Sequence, residues 1–351
     1  MMNKKQMLMQ LPKKQVFLLS FSDPRVFFSC MLFIFGLILL SATPGHAKTI
    51  HISILMASDV RVTTVDGFKE GLMGHAEEEG HTFVYTIMNA KGYRKKLFPL
   101  ATDIIAGKPD VAVAGGGIEA DALLKASSGT DIPVIFLSVS SSVNRGIIAN
   151  MTSSGNNLTG IETNDTQLTA KRLWFISKML PKARRIFCFH VPSIVPSVES
   201  LTVARKAAAE LGFKLQVAEV ESEADFKKAT ALLSGTRVDV ILQLPVAPVD
   251  RALGPIIFPK ALAEKIPVFG FGSNSMKNGA FASYAGSRFN NGRQAARLVH
   301  KIINGVKPRD IPVETPEKLE LIINKSLVEK LGLKLSSRVW RMADQIIDIQ
   351  F

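Results

Sequence analysis

Residues 110–117 read Asp-Val-Ala-Val-Ala-Gly-Gly-Gly, and residues 133–138 read Pro-Val-Ile-Phe-Leu-Ser. Neither run alternates polar with apolar side chains. Continuous apolar, β-branched runs that end on glycine or serine are the pattern of parallel strands covered on both faces. Residues 119–127 between them have the apolar spacing of a helix. Working upstream, residues 48–57 (KTIHISILMA) predict a strand and 66–80 a helix closed by Gly80. Residues 83–88 predict a strand and 94–107 a helix. The first part of the chain is therefore β-α-β-α-β-α-β, a parallel α/β unit.

A Ser/Asn/Gly-rich passage over residues 153–160 interrupts this pattern, and the alternation then restarts. Helices are expected over 165–180, 198–211, 225–233 and 254–265. Strands are expected over 185–190, 214–220, 238–242 and 267–271. Two successive units of this kind predict two Rossmann-like, doubly wound lobes. A third section holds too few elements for a core of its own. Its strand at 279–284, helix at 290–304 and strand at 320–324 are expected to return and complete the two lobes.

The amino terminus has a separate purpose. Within residues 1–47, Lys4, Lys5, Lys13, Lys14 and Arg25 stand against a single acid, Asp23. An apolar stretch over 26–40 follows, then small residues at Gly45 and Ala47. This is the order of a secretory signal, with cleavage expected after Ala47; an uncleaved anchor is the competing reading. Four of the thirteen net positive charges and Cys30 would leave with it. The remaining Cys188, flanked by Phe187 and Phe189, has no intramolecular partner and suits a buried core position.

Several blocks resemble ABC-transporter substrate-binding proteins, specifically the tryptophan/tyrosine-type branch with the type I periplasmic-binding fold. They are Asn157-Leu-Thr-Gly-Ile161, Leu180-Pro-Lys-Ala-Arg-Arg-Ile186, Ile266-Pro-Val-Phe-Gly270, Lys277-Asn-Gly-Ala-Phe-Ala-Ser-Tyr284, Gly292-Arg-Gln-Ala-Ala296 and the segment from Gly305 to Glu314. Their order holds over roughly residues 49–348. The resemblance implies two lobes joined by a three-strand hinge, with crossings near Thr159, Tyr284 and Pro312. On that division, residues 48–160 plus 285–312 form one lobe and 161–284 plus 313–335 the other, with 336–351 packing on them as a tail. It also implies a periplasmic protein, monomeric, that captures a solute by lobe closure and delivers it to an ABC importer, its permease and its ATPase. A ligand-sensing receptor subunit for a membrane signalling protein is the alternative.

In open α/β sheets, solutes bind beyond the carboxyl ends of the strands, where helix N-termini present free N–H groups. By position, the candidate ligand residues of the first lobe are Ser58, Asp59, Gly115, Gly116, Ser138, Ser140, Thr163 and Asn164. In the second lobe they are His190, Pro245, Ser273 and Asn274. Serine hydroxyls can donate, and the glycines are expected to let a solute approach the backbone. Asp59 and Asp165 are equally well placed to cap helices. Amino-acid-binding relatives tend to carry a polar or acidic residue, often Asp, after the strand at 238–242, where this chain has Leu244-Pro-Val-Ala-Pro248. An ammonium group leaving water needs such an acceptor. Unless another acid folds in from elsewhere, a plain α-amino acid is thus the weaker expectation, and a carboxylated, aromatic or otherwise apolar solute the stronger.

Other classes lack their signatures. The run Gly115-Gly116-Gly117 has neither dinucleotide nor P-loop spacing, so no nucleotide cofactor is expected. The six histidines form no metal-ligand pair, and His75 and His81 beside Glu77–Glu79 suit a solvated helix end. No nucleophile elbow is present, so no enzyme is expected. The remaining positive charge is dispersed without a DNA- or RNA-binding motif, so nucleic acid is not expected either.

Overall fold

The computed structural model describes residues 48–351; the expected export signal and its cleavage point at Ala47 lie outside the described residues. So do the side chains of residues 75–79, and with them the reading of His75 and Glu77–Glu79. The first lobe opens with β1 (Thr49–Met56), a 3-10 turn (Asp59–Arg61), α1 (Val62–Glu79) and β2 (Thr82–Asn89). It continues through α2 (Leu97–Ala106), β3 (Val111–Ala114), α3 (Gly117–Ala126), β4 (Val134–Val139) and β5 (Leu158–Glu162). The five strands are all parallel, in the order β2-β1-β3-β4-β5. All four residues of β3 are buried, which is what its unbroken apolar run requires.

The sequence pattern accounts for four of these strands. The fifth, β5, is the short Leu-Thr-Gly-Ile-Glu run whose glycine weakens its strand signal. Its backbone pairs with β4, so the first crossing follows Glu162 rather than Thr159.

The second lobe contains α4 (Leu168–Met179), β6 (Arg185–His190), α5 (Val195–Glu210), β7 (Lys214–Glu219), α6 (Glu223–Ala231) and β8 (Val240–Leu242). The helix expected over 254–265 starts earlier, as α7 (Ala247–Ala252), passes through a π turn (Leu253–Ile257) and resumes as α8 (Phe258–Ala263). Pro255 lies in the π turn and has no N–H to donate, which breaks the regular ladder there. Then come β9 (Val268–Gly270), α9 (Ser273–Lys277) and β10 (Ala282–Gly286). After α10 (Arg288–Ile303), the chain forms β11 (Leu319–Asn324), α11 (Lys325–Lys330), α12 (Ser337–Met342) and β12 (Gln345–Ile347). The second sheet runs β12-β11-β10-β9-β8-β6-β7, with β11 antiparallel to β10. The tail therefore adds an edge strand, and Val339 of α12 enters the core. Cys188 is fully buried, and burial pushes its thiol up to about 12.

The chain passes between the sheets three times: after β5, after β10 and before β11. The first and third crossings are cross-linked, because Glu162 N donates to Glu314 O at 2.8 Å and Glu314 N to Gly160 O at 3.0 Å. The second crossing returns α10 to the first lobe, where it lies against α1 at backbone contact. A Cβ on Gly292 would stand 1.9 Å from Thr64 O, and one on Gly67 2.0 Å from Phe289 O. Ala295, Ala296, Leu298 and Val299 of α10 complete that core with Phe68 and Leu72 of α1.

Candidate functional site

Strand order reverses between β1 and β3 in one sheet and between β6 and β8 in the other, the position where open α/β sheets form crevices. A cavity of about 540 Å³ lies there, beyond the carboxyl ends of both sets of strands and between the lobes. That volume suits a small solute.

The first-lobe wall is basic. Arg61, in the 3-10 turn after β1, donates through Nε to Glu119 Oε1 at 2.8 Å and through Nη2 to Oε2 at 3.2 Å. Glu119 is fully buried and also accepts from Ala57 N at 2.9 Å. The Arg61 guanidinium lies flat on Gly116, where a Cβ would be 2.3 Å from Cζ. Gly115 is packed against the same side chain. These two glycines were expected to meet solute; instead they make room for an arginine that lines the cavity. Arg145, from the loop after β4, pairs with Asp121, lies over Gly117, and keeps a buried Nε without a protein partner. Burial raises the Asp121 carboxyl above its ordinary range, and Arg145 opposes that rise. The first turn of α3 has no side-chain cap, and its Gly117 and Ile118 line the cavity. Uncapped N–H groups beside two guanidiniums form an anion-favouring wall.

The opposite wall is largely apolar, with one buried acid and two arginines, Arg251 and Arg288, on the lining. Ile194, Pro196, Pro245, Val246, Pro248 and Phe271 supply its apolar surface. Asp250, in the first turn of α7, is 7 % exposed. Its Oδ1 accepts from Gln243 Nε2 at 3.1 Å and its Oδ2 from Asn274 Nδ2 at 2.6 Å. Arg288, at the second crossing, holds its Nη2 3.9 Å from Asp250 Oδ2. Burial disfavours the charged form of Arg288, and Asp250 offsets this. The expectation that this lobe lacks an acid after β8 is thus overturned. The Pro245–Pro248 segment turns directly into a helix, and its first turn swings the carboxylate back over the cavity.

The hinge forms the floor. Thr163 and Asp165 line it, with Ser140 Oγ 2.7 Å from Thr163 Oγ1. Asp165 Oδ1 accepts from Nη2 of the fully buried Arg172 at 2.6 Å.

Of the residues proposed from sequence, Ser58, Ser138, Ser140, Thr163 and Pro245 come together on the cavity lining. Asp59 faces solvent and accepts from Asn89 and Lys91, whose ammonium holds its carboxyl below the usual range. Asn164 takes a left-handed turn, φ 54°, and its N–H donates to Glu162 Oε1. His190 is 6 % exposed, with Nδ1 3.0 Å from Ser197 Oγ, and burial holds its pKa below the ordinary value. Ser273 is exposed at the start of α9, outside the lining, and Asn274 reaches the site only through Asp250. Sequence reasoning missed Arg61, Arg145, Asp250, Phe271 and Arg288 as site residues. The signal for Asp250 was its place two residues after Pro248, a residue favoured at a helix start.

Among the described residues no cluster could hold a metal ion, and no helix is long and apolar enough to cross a membrane. A family profile described as ABC transporter substrate binding protein matches residues 49–347. A curated tyrosine-binding protein of Clostridioides difficile is 25 % identical over 291 residues, covering 83 % of each chain. A crystal structure of a conserved domain protein from Vibrio cholerae superposes with a TM-score of 0.74 at 25 % identity, over 86 % of this chain and 99 % of that one. A Streptococcus pneumoniae ABC domain in complex with L-Trp gives 0.75 at 19 % identity, over 85 % and 100 %.

Proposed function

The chain belongs to the ABC transporter substrate-binding protein family, and on that premise we propose that it is the exported solute receptor of an ABC importer. Its solute carries a carboxylate, an amino group and an apolar body. The observation that carries this reading is the polarity of the cavity. Arg61, Arg145 and the first turn of α3 stand on one wall, and the buried carboxylate of Asp250 on the other. A carboxylate would lie against the first wall, accepting from Arg145 and from Ser58, Ser138, Ser140 or Thr163. An ammonium would lie against Asp250, with Asp165 beneath it. The proline-rich wall and Phe271 would cover the apolar body. Asp250 therefore restores the α-amino acids that the sequence had made the weaker expectation.

Lobe closure about the three crossings would enclose the solute and present a closed face to the permease. None of these steps uses a reacting nucleophile, so the reading is one of capture without turnover. Support for a zwitterion comes from charge placement, and support for an aromatic side chain from the relatives' ligands.

Isothermal titration of the mature chain against L-tyrosine and L-tryptophan, beside their decarboxylated amines and deaminated acids, tests this. The zwitterions should bind at least tenfold more tightly than either truncated form. Equal affinity for the amine would remove the carboxylate wall from the reading, and equal affinity for the acid would remove Asp250.

A further inference from the structure

The loop after β4 faces two ways. Ser140 and Arg145 line the cavity, while Ser141 and Asn144 reach the other lobe. Ser141 Oγ donates to Glu199 Oε2 at 2.5 Å, and Asn144 Nδ2 donates to Glu199 Oε1. Glu199 stands on α5 of the second lobe, half-buried, with both carboxylate oxygens engaged by one loop of the first.

The same loop is tied to the hinge. Glu162, at the end of β5, is buried and accepts from Ser141 N at 3.1 Å and Ser142 N at 2.7 Å. Ser141 has φ 61°, a left-handed conformation that a serine holds only when its surroundings fix it. One carboxylate thus sets the loop's shape from the hinge, and a second fastens its tip across the cleft. Both hydrogen bonds to Glu199 span the two lobes, so moving the lobes apart breaks them.

We infer that Glu199 is a positioning residue for solute capture: it clamps the 140–145 loop across the lobes, so that closure and presentation of Arg145 are one event. The inference rests on the lobe-closure part of the proposed function and not on the identity of the solute. Glu199 has no place on the cavity lining and acts through Ser141 and Asn144.

The test is an interlobe distance. Nitroxide labels on Asp103→Cys and Lys206→Cys, both exposed, report the separation of the lobes, and the fully buried Cys188 stays unlabelled. Distances are measured on the mature chain without addition, with L-tyrosine and with L-tryptophan. The parent should show a short-distance population. Glu199→Ala should lower its closed-to-open ratio at least tenfold with an unchanged thermal midpoint, and Glu199→Gln should fall between. Asn144→Ala should also lower it, and the double variant should be no worse than Glu199→Ala alone. A parent population that survives intact in Glu199→Ala overturns the clamp and leaves closure standing. One distance, identical in parent and variants under all three conditions, overturns both.

Discussion

Arg172, without exposed surface, joins two of the three crossings: its Nη2 donates to Asp165 Oδ1 at 2.6 Å, and its Nε donates to Tyr284 O at 2.9 Å. Its Nη1 also donates to Asp165 O at 2.6 Å. Burial lowers the pKa of the guanidinium, and Asp165 works against that shift. A side chain in this position both braces the hinge and aims the Asp165 carboxylate at the cavity floor. Arg172→Met leaves that carboxylate without its partner, at a cost of about 3–5 kcal/mol for breaking a buried pair. Urea unfolding measures it, and a loss below about 1 kcal/mol would show that the brace carries little.

Asp250 is the carboxylate of the cavity wall that carries Pro245, Val246 and Phe271, and it is supported by Gln243 and Asn274. Asp250→Asn keeps the shape and removes the charge. Binding of L-tyrosine or L-tryptophan, whichever the parent binds, should weaken about ten- to a hundredfold, the worth of one charged hydrogen bond. Binding of the corresponding deaminated acid should change less than threefold. Titration calorimetry of the four pairs decides, and parallel losses would assign Asp250 a merely structural part.

Gly292 is fixed by contact. Any side chain there meets Thr64 O, and both the helix backbones concerned are held by the first-lobe core. Gly292→Ala should force α1 and α10 apart and cost about 1–3 kcal/mol, as overpacking does. A lower thermal midpoint with unchanged far-UV dichroism is the expected result. An unshifted midpoint would mean that the two helices separate freely.

Burial raises the Glu162 carboxyl above its ordinary value of 4.5, and N–H groups of Ser142, Asn164 and Ser141 pull against that rise. The folded chain therefore holds this proton more tightly than the unfolded chain. The contribution of Glu162 to stability is largest below the ordinary value and shrinks as pH rises from there through the raised one. Carbon-13 titration of the Glu162 carboxyl should give a midpoint above 4.5. A midpoint at or under that value contradicts the balance between burial and hydrogen bonding.

Much of the architecture was legible because parallel strands announce themselves. Val-Ala-Val-Ala at 111–114 can be covered on both faces and little else, and the helices between such runs carry their apolar residues at helical spacing. What stayed hidden had weak local signals. β5 is five residues with a glycine, β12 is three residues at an edge, and α7 is divided from α8 by a π turn. For the site, strand-end position found five lining residues, Ser58, Ser138, Ser140, Thr163 and Pro245. It gave no sign that Gly115 and Gly116 would be covered by Arg61, or that His190 would turn inward to Ser197.

The sequence by itself determined the two α/β lobes and the blocks that tie the chain to its family. Hydrophobic period and short motifs are local properties, fixed by residues a few positions apart. The polarity of the cavity was decided only by tertiary structure. Arg61 pairs with Glu119, Arg145 with Asp121 and Asp250 with Asn274, across 58, 24 and 24 positions of chain. Whether a charge is spent on a neighbour or left to face a solute depends on where folding brings its partner, and no run of adjacent residues records that.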